Sequence, residues 1–195
     1  MSADAHCVVL ADEVRLDEKF VYAAGETEGT LTIGNVFVWI KQGLPGGPYP
    51  VPEQPAVLDQ RGCRYIPHVL GIMVGQKLQI VNSDSTMHNV HSLAKNGRQF
   101  NNGMAKGAPP LVKTFEAPEV LLKIKCDAHP WMSSYAGVVE HPYFAVTGTD
   151  GSFSLENLPA GTYEVAAAHE LLKRSVQSVT VADGESVEIE FVLTK

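Results

Sequence analysis

The stretch Val120-Leu121-Leu122-Lys123-Ile124-Lys125-Cys126-Asp127-Ala128-His129-Pro130-Trp131-Met132 decides how this chain folds. Val120, Leu122, Ile124 and Cys126 share one parity, so a strand rises with its apolar face inward and delivers a thiol at its end. His129 and Met132 follow with two residues between each pair, in a loop too short to be anything but local. A lone buried Cys is ordinarily a small hydrophobe, and a lone His or Met is ordinarily packing. Thiolate, imidazole and thioether at this spacing are another matter. They are three members of the blue-copper ligand set, in which two His and one Cys lie in a plane and Met is a weak axial donor.

The second imidazole is offered upstream. Leu78 and Ile80 mark another inward-facing strand, which ends in Asn82-Ser83-Asp84-Ser85 and leads to His88-Asn89-Val90-His91. Two core strands then end at the same pole, and each releases ligands there. The expected metal set is His88, Cys126, His129 and Met132.

On these residues the segment Tyr65 to Val139 resembles the cupredoxin (type 1 blue-copper) family, most closely its amicyanin type. The resemblance lies in His88-Asn89-Val90-His91, followed about 35 residues later by Cys126-x-x-His129-Pro130-Trp131-Met132. It extends to Val74-Gly75-Gln76-Lys77-Leu78-Gln79-Ile80-Val81-Asn82, which is similar to the family's hairpin before the first His ligand. The short Cys-x-x-His-x-x-Met loop sets the amicyanin type apart from plastocyanins and azurins.

The resemblance implies a Greek-key β-sandwich holding one copper per chain. It implies a periplasmic electron carrier that passes single electrons between redox proteins. His88 would be the buried imidazole, and His129 the outward one through which the electron leaves. Asn89 matches the family's Asn whose backbone N–H reaches the thiolate and whose side chain ties the two ligand loops together. His91 matches the motif where the family has no ligand. Ala128 stands where the family often has Pro and keeps an N–H. Aimed at the sulfur, that N–H would favour the reduced metal and raise the potential. Trp131 replaces Phe in the apolar rim and widens the expected docking surface for a redox partner around His129.

Composition narrows the alternatives. The 195 residues are 45% hydrophobic and 19% charged, which suits one or two globular domains. Fifteen Lys and Arg against 22 Asp and Glu leave a net charge of −7, which excludes nucleic acid as an expected partner. No apolar run reaches about 18 residues, so no membrane span is expected. Met1-Ser2-Ala3-Asp4-Ala5-His6-Cys7 has neither a basic nor an apolar leader region. A copper-thiolate carrier belongs in an oxidising, periplasmic or extracellular compartment, so a leader removed ahead of Met1 is expected. Cys is odd in number, at three. With Cys126 on the metal, Cys7 and Cys63 either pair or stay free.

Outside the ligand loops, Thr30 to Ile33 and Val36 to Ile40 read as strands. Gly43 to Pro55, with five prolines, reads as an extended loop that small cupredoxins lack. The chain from Val57 to Met73 is expected to form the hairpin partner of the Leu78–Ile80 strand. That course starts Cys63 near the copper pole, as a packed thiol or as a second thiolate that perturbs or ligates the site. Residues 92–118 read as a polar connection; a minor alternative folds Phe100 to Met104 back over the copper pole, where Met104 would be a competing thioether.

From Tyr143 the character changes. Thr149-Asp150-Gly151-Ser152-Phe153-Ser154-Leu155 through Leu158-Pro159-Ala160-Gly161-Thr162-Tyr163 resembles the carboxypeptidase-regulatory, transthyretin-like β-sandwich modules. The expected division is therefore 1–142 for the copper domain and 143–195 for the module. Strands within 28–41 belong to either one. The fold class is all-β. Multicopper oxidases and nitrite reductases need His-Cys-His, whereas Lys125 and Asp127 flank Cys126, so a non-enzyme is expected. The rivals are a copper carrier or storage protein, and a copper subunit whose C-terminal module binds a partner protein or carbohydrate.

Overall fold

Leu78 and Ile80, Leu122 and Ile124, and Ala136 and Val138 are all buried at alternate positions of their segments. That period of two builds sheets rather than helices. The computed structural model describes residues 3–11, 26–27 and 30–195, with side chains from Thr32 onward. The described residues form strands and no helix, so the chain is all-β.

In chain order the strands are β1 (Ala3–Ala11), β2 (Glu26–Thr27), β3 (Thr30–Thr32), β4 (Phe37–Gln42), β5 (Ala56–Gln60) and β6 (Tyr65–Ile66). They continue as β7 (Val69–Met73), β8 (Leu78–Asn82), β9 (His88–Ser92), β10 (Asn101–Met104), β11 (Leu111–Lys113) and β12 (Glu119–Lys125). The last are β13 (Ser133–Val139), β14 (Phe144–Val146), β15 (Ser152–Leu158), β16 (Gly161–His169), β17 (Leu172–Val181) and β18 (Ile189–Leu193).

The chain divides into two compact units, residues 48–142 and residues 1–47 with 143–195. In the first, one sheet runs β10-β9-β12-β13-β7 and the other β11-β8-β5-β6. A single core joins them, with Leu58, Leu78 and Ile80 from one sheet against Ile72, Val90, Leu122, Ile124 and Val138 from the other. Burying such side chains contributes roughly 1.5–3 kcal/mol each and fixes the two sheets face to face.

The expected hairpin between Val57–Met73 and the Leu78 strand is not formed. β7 pairs in parallel with β13, from Val69 opposite Tyr135 to Met73 opposite Val139. Gly75, at φ 79°, turns the chain out of that sheet and into the other, a conformation open to glycine. Residues 92–118 hold two short strands where a polar connection was expected. β10 and β11 are edge strands, each with one partner, and pairing with β9 and β8 overrides the poor strand propensity of Asn101-Asn102-Gly103.

The second unit also has two sheets. β4 lies between β14 and β16, with Trp39 opposite Ala166 and Phe144 opposite Trp39 in the two ladders. β1 pairs with β15, β18 and β3. The division expected from the sequence, 1–142 and 143–195, left the strands within 28–41 open between the two, and residues 1–47 group with 143–195. The reason is the sheet itself. β16 needs a neighbour on its second edge, and β4 supplies it, while Thr147 Oγ1 accepts from Val36 N–H at 2.9 Å and donates to Ile33 O at 2.8 Å.

Candidate metal centre

β12 delivers Cys126, and the loop after it is closed by its own backbone. Met132 N–H donates to His129 O at 2.9 Å, and Cys126 N–H donates to Met132 O at 3.0 Å. β9 delivers His88 from the neighbouring ladder, where Lys125 lies opposite His91. A bulge at Leu121, φ 57°, shifts the register of β12 before Leu122, so inward alternation begins at Leu122 rather than Val120.

The result is a convergence of three donors. His88 Nδ1 lies 3.0 Å from His129 Nδ1, and Cys126 Sγ lies 3.6 Å from the same His129 nitrogen. All three donor atoms fall within 4.8 Å of one another. Bonds of about 2.0 Å to nitrogen and 2.3 Å to sulfur, at trigonal angles, separate N from N by about 3.5 Å and N from S by about 3.7 Å. The sulfur–nitrogen spacing meets that value, and the nitrogen–nitrogen spacing is short by about half an ångström. Two imidazoles and a thiol therefore fit one metal ion with a small outward shift of a ring.

Each donor is held from behind. His88 is fully buried, and its Nε2 is 2.7 Å from Asp84 Oδ2. Asp84 in turn accepts Gly62 N–H at 2.7 Å and Cys63 N–H at 2.9 Å. The Cys63 N–H holds the Asp84 carboxyl below the usual carboxylate range, with help from Gly62 and His88. An ionised Asp84 accepts from Nε2–H, which leaves the Nδ1 lone pair facing the cluster.

Asn89 ties the segments that carry His88 and Cys126 together. Its Oδ1 accepts Asp127 N–H at 2.6 Å and the Cys126 S–H at 3.2 Å. Its Nδ2 donates to Asn101 Oδ1 at 2.8 Å and to Asp127 Oδ2 at 3.1 Å. Asp127 also receives Lys125 Nζ at 2.7 Å, Asn101 Nδ2 at 2.9 Å and His91 Nδ1 at 2.9 Å. Lys125 foremost, then Asn101, Asn89 and His91, hold its carboxyl far below the usual range. His91 is thus engaged by Asp127 and is absent from the donor cluster.

Tyr65 lies beneath this network. Its hydroxyl donates to Asn89 O at 2.5 Å. Burial pushes its ionisation well above the ordinary phenol range, and the charges of Cys126 and Asp127 add to the effect.

The remaining expected residues are placed as follows. Met132 is fully buried at the base of the loop, and Ala128 is exposed. Trp131 is 63% exposed, with its ring 5.3 Å from that of half-buried His129. Cys63 is a free, half-buried thiol whose carbonyl accepts Trp131 Nε1–H at 3.2 Å, so it does start near this pole. The side chain of Cys7 lies outside the described residues. Met104, opposite His88 in the ladder, is buried with its sulfur taking Gln60 Nε2–H at 3.1 Å. Asp84, Asp127 and the role of Tyr65 escaped the sequence reading.

Comparison with known proteins now adds the following. Residues 137–194 match the carboxypeptidase regulatory-like domain family. Among solved structures the neighbours include cupredoxins. A purple cupredoxin from Nitrosopumilus maritimus is similar at 27% identity and TM-score 0.36, covering 43% of this chain and 98% of its own. The reduced state of an amicyanin mutant is similar at 22% identity and TM-score 0.39, covering 52% of this chain and 97% of its own. The Cu-containing nitrite reductase of Thermus scotoductus SA-01 is similar at 21% identity and TM-score 0.41, covering 50% of this chain. This chain spans 25% of the length of that reductase. No curated protein sequence matches the chain. No helix is long and apolar enough to cross a membrane among the described residues.

Proposed function

We propose that this chain is a type 1 copper protein that carries single electrons between redox partners in a periplasmic or extracellular compartment. The observation that carries the reading is the approach of His88 Nδ1, His129 Nδ1 and Cys126 Sγ to within 4.8 Å at the ends of two core strands. This donor set suits copper of the blue type, with Met132 as the weak axial donor and one ion per chain. Bound copper would supply a one-electron couple.

The chain's own residues keep the donors in place through that couple. Asp84 fixes the tautomer of His88. Asn89 links the strand carrying His88 to the loop carrying Cys126, and Asp127 locks the loop to β9 and β10. Met132 closes the loop from inside. Ligands held by sheet and loop hydrogen bonds move little when the charge at their centre changes, which suits transfer rather than turnover. Lys125 and Asp127 on either side of Cys126 leave no histidine to relay an electron to a second centre, so the chain is read as a carrier and not an enzyme. Exposed Trp131 beside half-buried His129 gives the apolar face where a redox protein docks.

The test is an optical and electron-spin-resonance spectrum of the full chain after addition of Cu(II). Intense visible absorption with narrow copper hyperfine splitting is expected, and its loss in Cys126→Ser. A colourless protein with ordinary square-planar copper signals overturns the reading.

A further inference from the structure

His88 presents a nitrogen on each side of its ring, and donors gather on both. On one side stand His129 and Cys126. On the other, Cys63 Sγ, an Asp84 carboxylate oxygen and a His88 nitrogen lie within 4.8 Å of one another. We propose that Cys63, Asp84 and His88 Nε2 form a second metal site, which takes a borderline divalent ion of the zinc or cobalt class and shares the His88 ring with the copper trio.

The group differs from an ordinary surface cluster of acids. Its imidazole is fully buried, and the nitrogen that faces Asp84 is the one turned away from His129. Asp84 Oδ1 accepts a single hydrogen bond, from Gly62, which leaves it a lone pair for an ion. Cys63 is fixed on both flanks, by its N–H on Asp84 and by its carbonyl on Trp131. It adopts φ 53°, a left-handed conformation that suits Gly or Asn better, and still carries a thiol. Cys63 and Asp84 are both partly exposed, so an ion reaches them from solvent while His88 closes the site from within. Sulfur, oxygen and nitrogen donors with one open position form a familiar set for a four-coordinate zinc-type ion.

The proton balance is simple. With the copper trio empty, binding releases the thiol proton of Cys63, and the neutral ring's single proton passes from Nε2 to Nδ1, where it donates to His129 Nδ1 across the 3.0 Å contact. With the trio filled, no ring nitrogen is left to take that proton, and binding releases it as well.

The probe is Co(II), whose thiolate ligation gives an intense near-ultraviolet charge-transfer band. It is added to the full chain carrying Cys126→Ser, which removes the copper thiolate and keeps Cys63. One equivalent with a thiolate band is expected, and the band disappears in Cys126→Ser/Cys63→Ser, where Cys7 is unchanged. Asp84→Asn on the Cys126→Ser background keeps Cys63 and should weaken Co(II) by at least about tenfold. This variant decides the matter if the double serine variant does not fold. Absence of the band in Cys126→Ser, its survival without Cys63, or unchanged affinity in Asp84→Asn overturns the proposal. The result is separable from the copper reading. A chain that fails the Cu(II) test yet keeps the Cys63 band loses the electron-carrier function and retains this site.

Discussion

Replacing Asp84 by Asn is the sharpest probe of how the candidate centre is held. The carboxylate serves three donors: Gly62 N–H on Oδ1, and Cys63 N–H and His88 Nε2 on Oδ2. An amide has one oxygen to offer. Placed at the Oδ2 position, it still serves Cys63 and His88 and turns its NH₂ on Gly62, at the exposed edge where water can take over. Placed at the Oδ1 position, it abandons two donors, one of them on a fully buried ring. The first arrangement therefore wins by about one buried hydrogen bond, on the order of 1–3 kcal/mol. His88 keeps Nδ1 free of its proton, but the ring loses the polarising charge behind it. Loss of such a partner weakens metal binding about 10–100-fold. Asp84→Asn belongs near the low end, about tenfold or 1.4 kcal/mol, because the tautomer survives. Asp84→Ala belongs near the high end, because nothing then selects the tautomer and Nε2–H is left without its acceptor. The assay is a competition titration for Cu(I) against a chelator, with urea unfolding of the metal-free protein alongside. Equal affinities for wild type, Asp84→Asn and Asp84→Ala would refute the idea that the carboxylate sets the tautomer. Because the folded carboxyl sits below its unfolded value near 4, its stabilising contribution is present above that pH and is lost as acid titrates through the lower folded value.

Tyr65→Phe should cost about 1 kcal/mol near neutrality, since the Asn89 carbonyl loses its donor, and the same change should flatten the alkaline limb of stability. Folded Tyr65 ionises well above the unfolded value near 10, so its contribution is intact below pH 10. Above that the wild type should lose about 1.4 kcal/mol per pH unit from this group. Urea midpoints measured across that range check it, and parallel slopes for the two proteins would count against it. Ala128→Pro should lower the reduction potential of the copper-loaded protein in voltammetry, because it removes the N–H expected to disperse thiolate charge; an unchanged potential contradicts that role. Trp131→Ala should leave the urea midpoint within about 0.5 kcal/mol of wild type, as its ring is 63% exposed, while slowing electron self-exchange at the same potential. Unaltered self-exchange would move the docking face elsewhere.

The donors were legible because they depend on local rules. Alternation through Leu122 and Ile124 fixes which way Cys126 points, and two residues leave His129 nowhere to go but beside it. His88 is reached from the end of the Leu78–Ile80 strand, and alternation in its own strand turns it inward with Val90 and Ser92. Asp84 was not legible for a physical reason. Its partners are two N–H groups of a turn about 20 residues upstream, aimed at it by left-handed backbone at Gly62 and Cys63. Nothing in Asn82-Ser83-Asp84-Ser85 reveals that a distant turn will meet the third residue. The fate of β4 was equally hidden. Its unbroken apolar run from Phe37 to Ile40 suits any sheet, and the choice rests on contacts such as Val36 with Thr147, across 111 residues. β10 was missed because register with β9, not composition, makes it a strand.

On the proposed function, the path of the electron follows from an asymmetry between the two imidazoles. His88 is held through both nitrogens, by Asp84 on one side and the donor cluster on the other, and no part of it reaches solvent. His129 faces the cluster through Nδ1, while its other nitrogen has no hydrogen-bond partner among the described residues and its ring rests against Trp131. A ligand locked on both sides adds stiffness and offers no path outward. A ligand whose far edge is half-buried beside an exposed indole couples the centre to whatever covers that indole. On that proposal the firm side of the centre lies toward Asp84, and the conducting side toward His129 and Trp131.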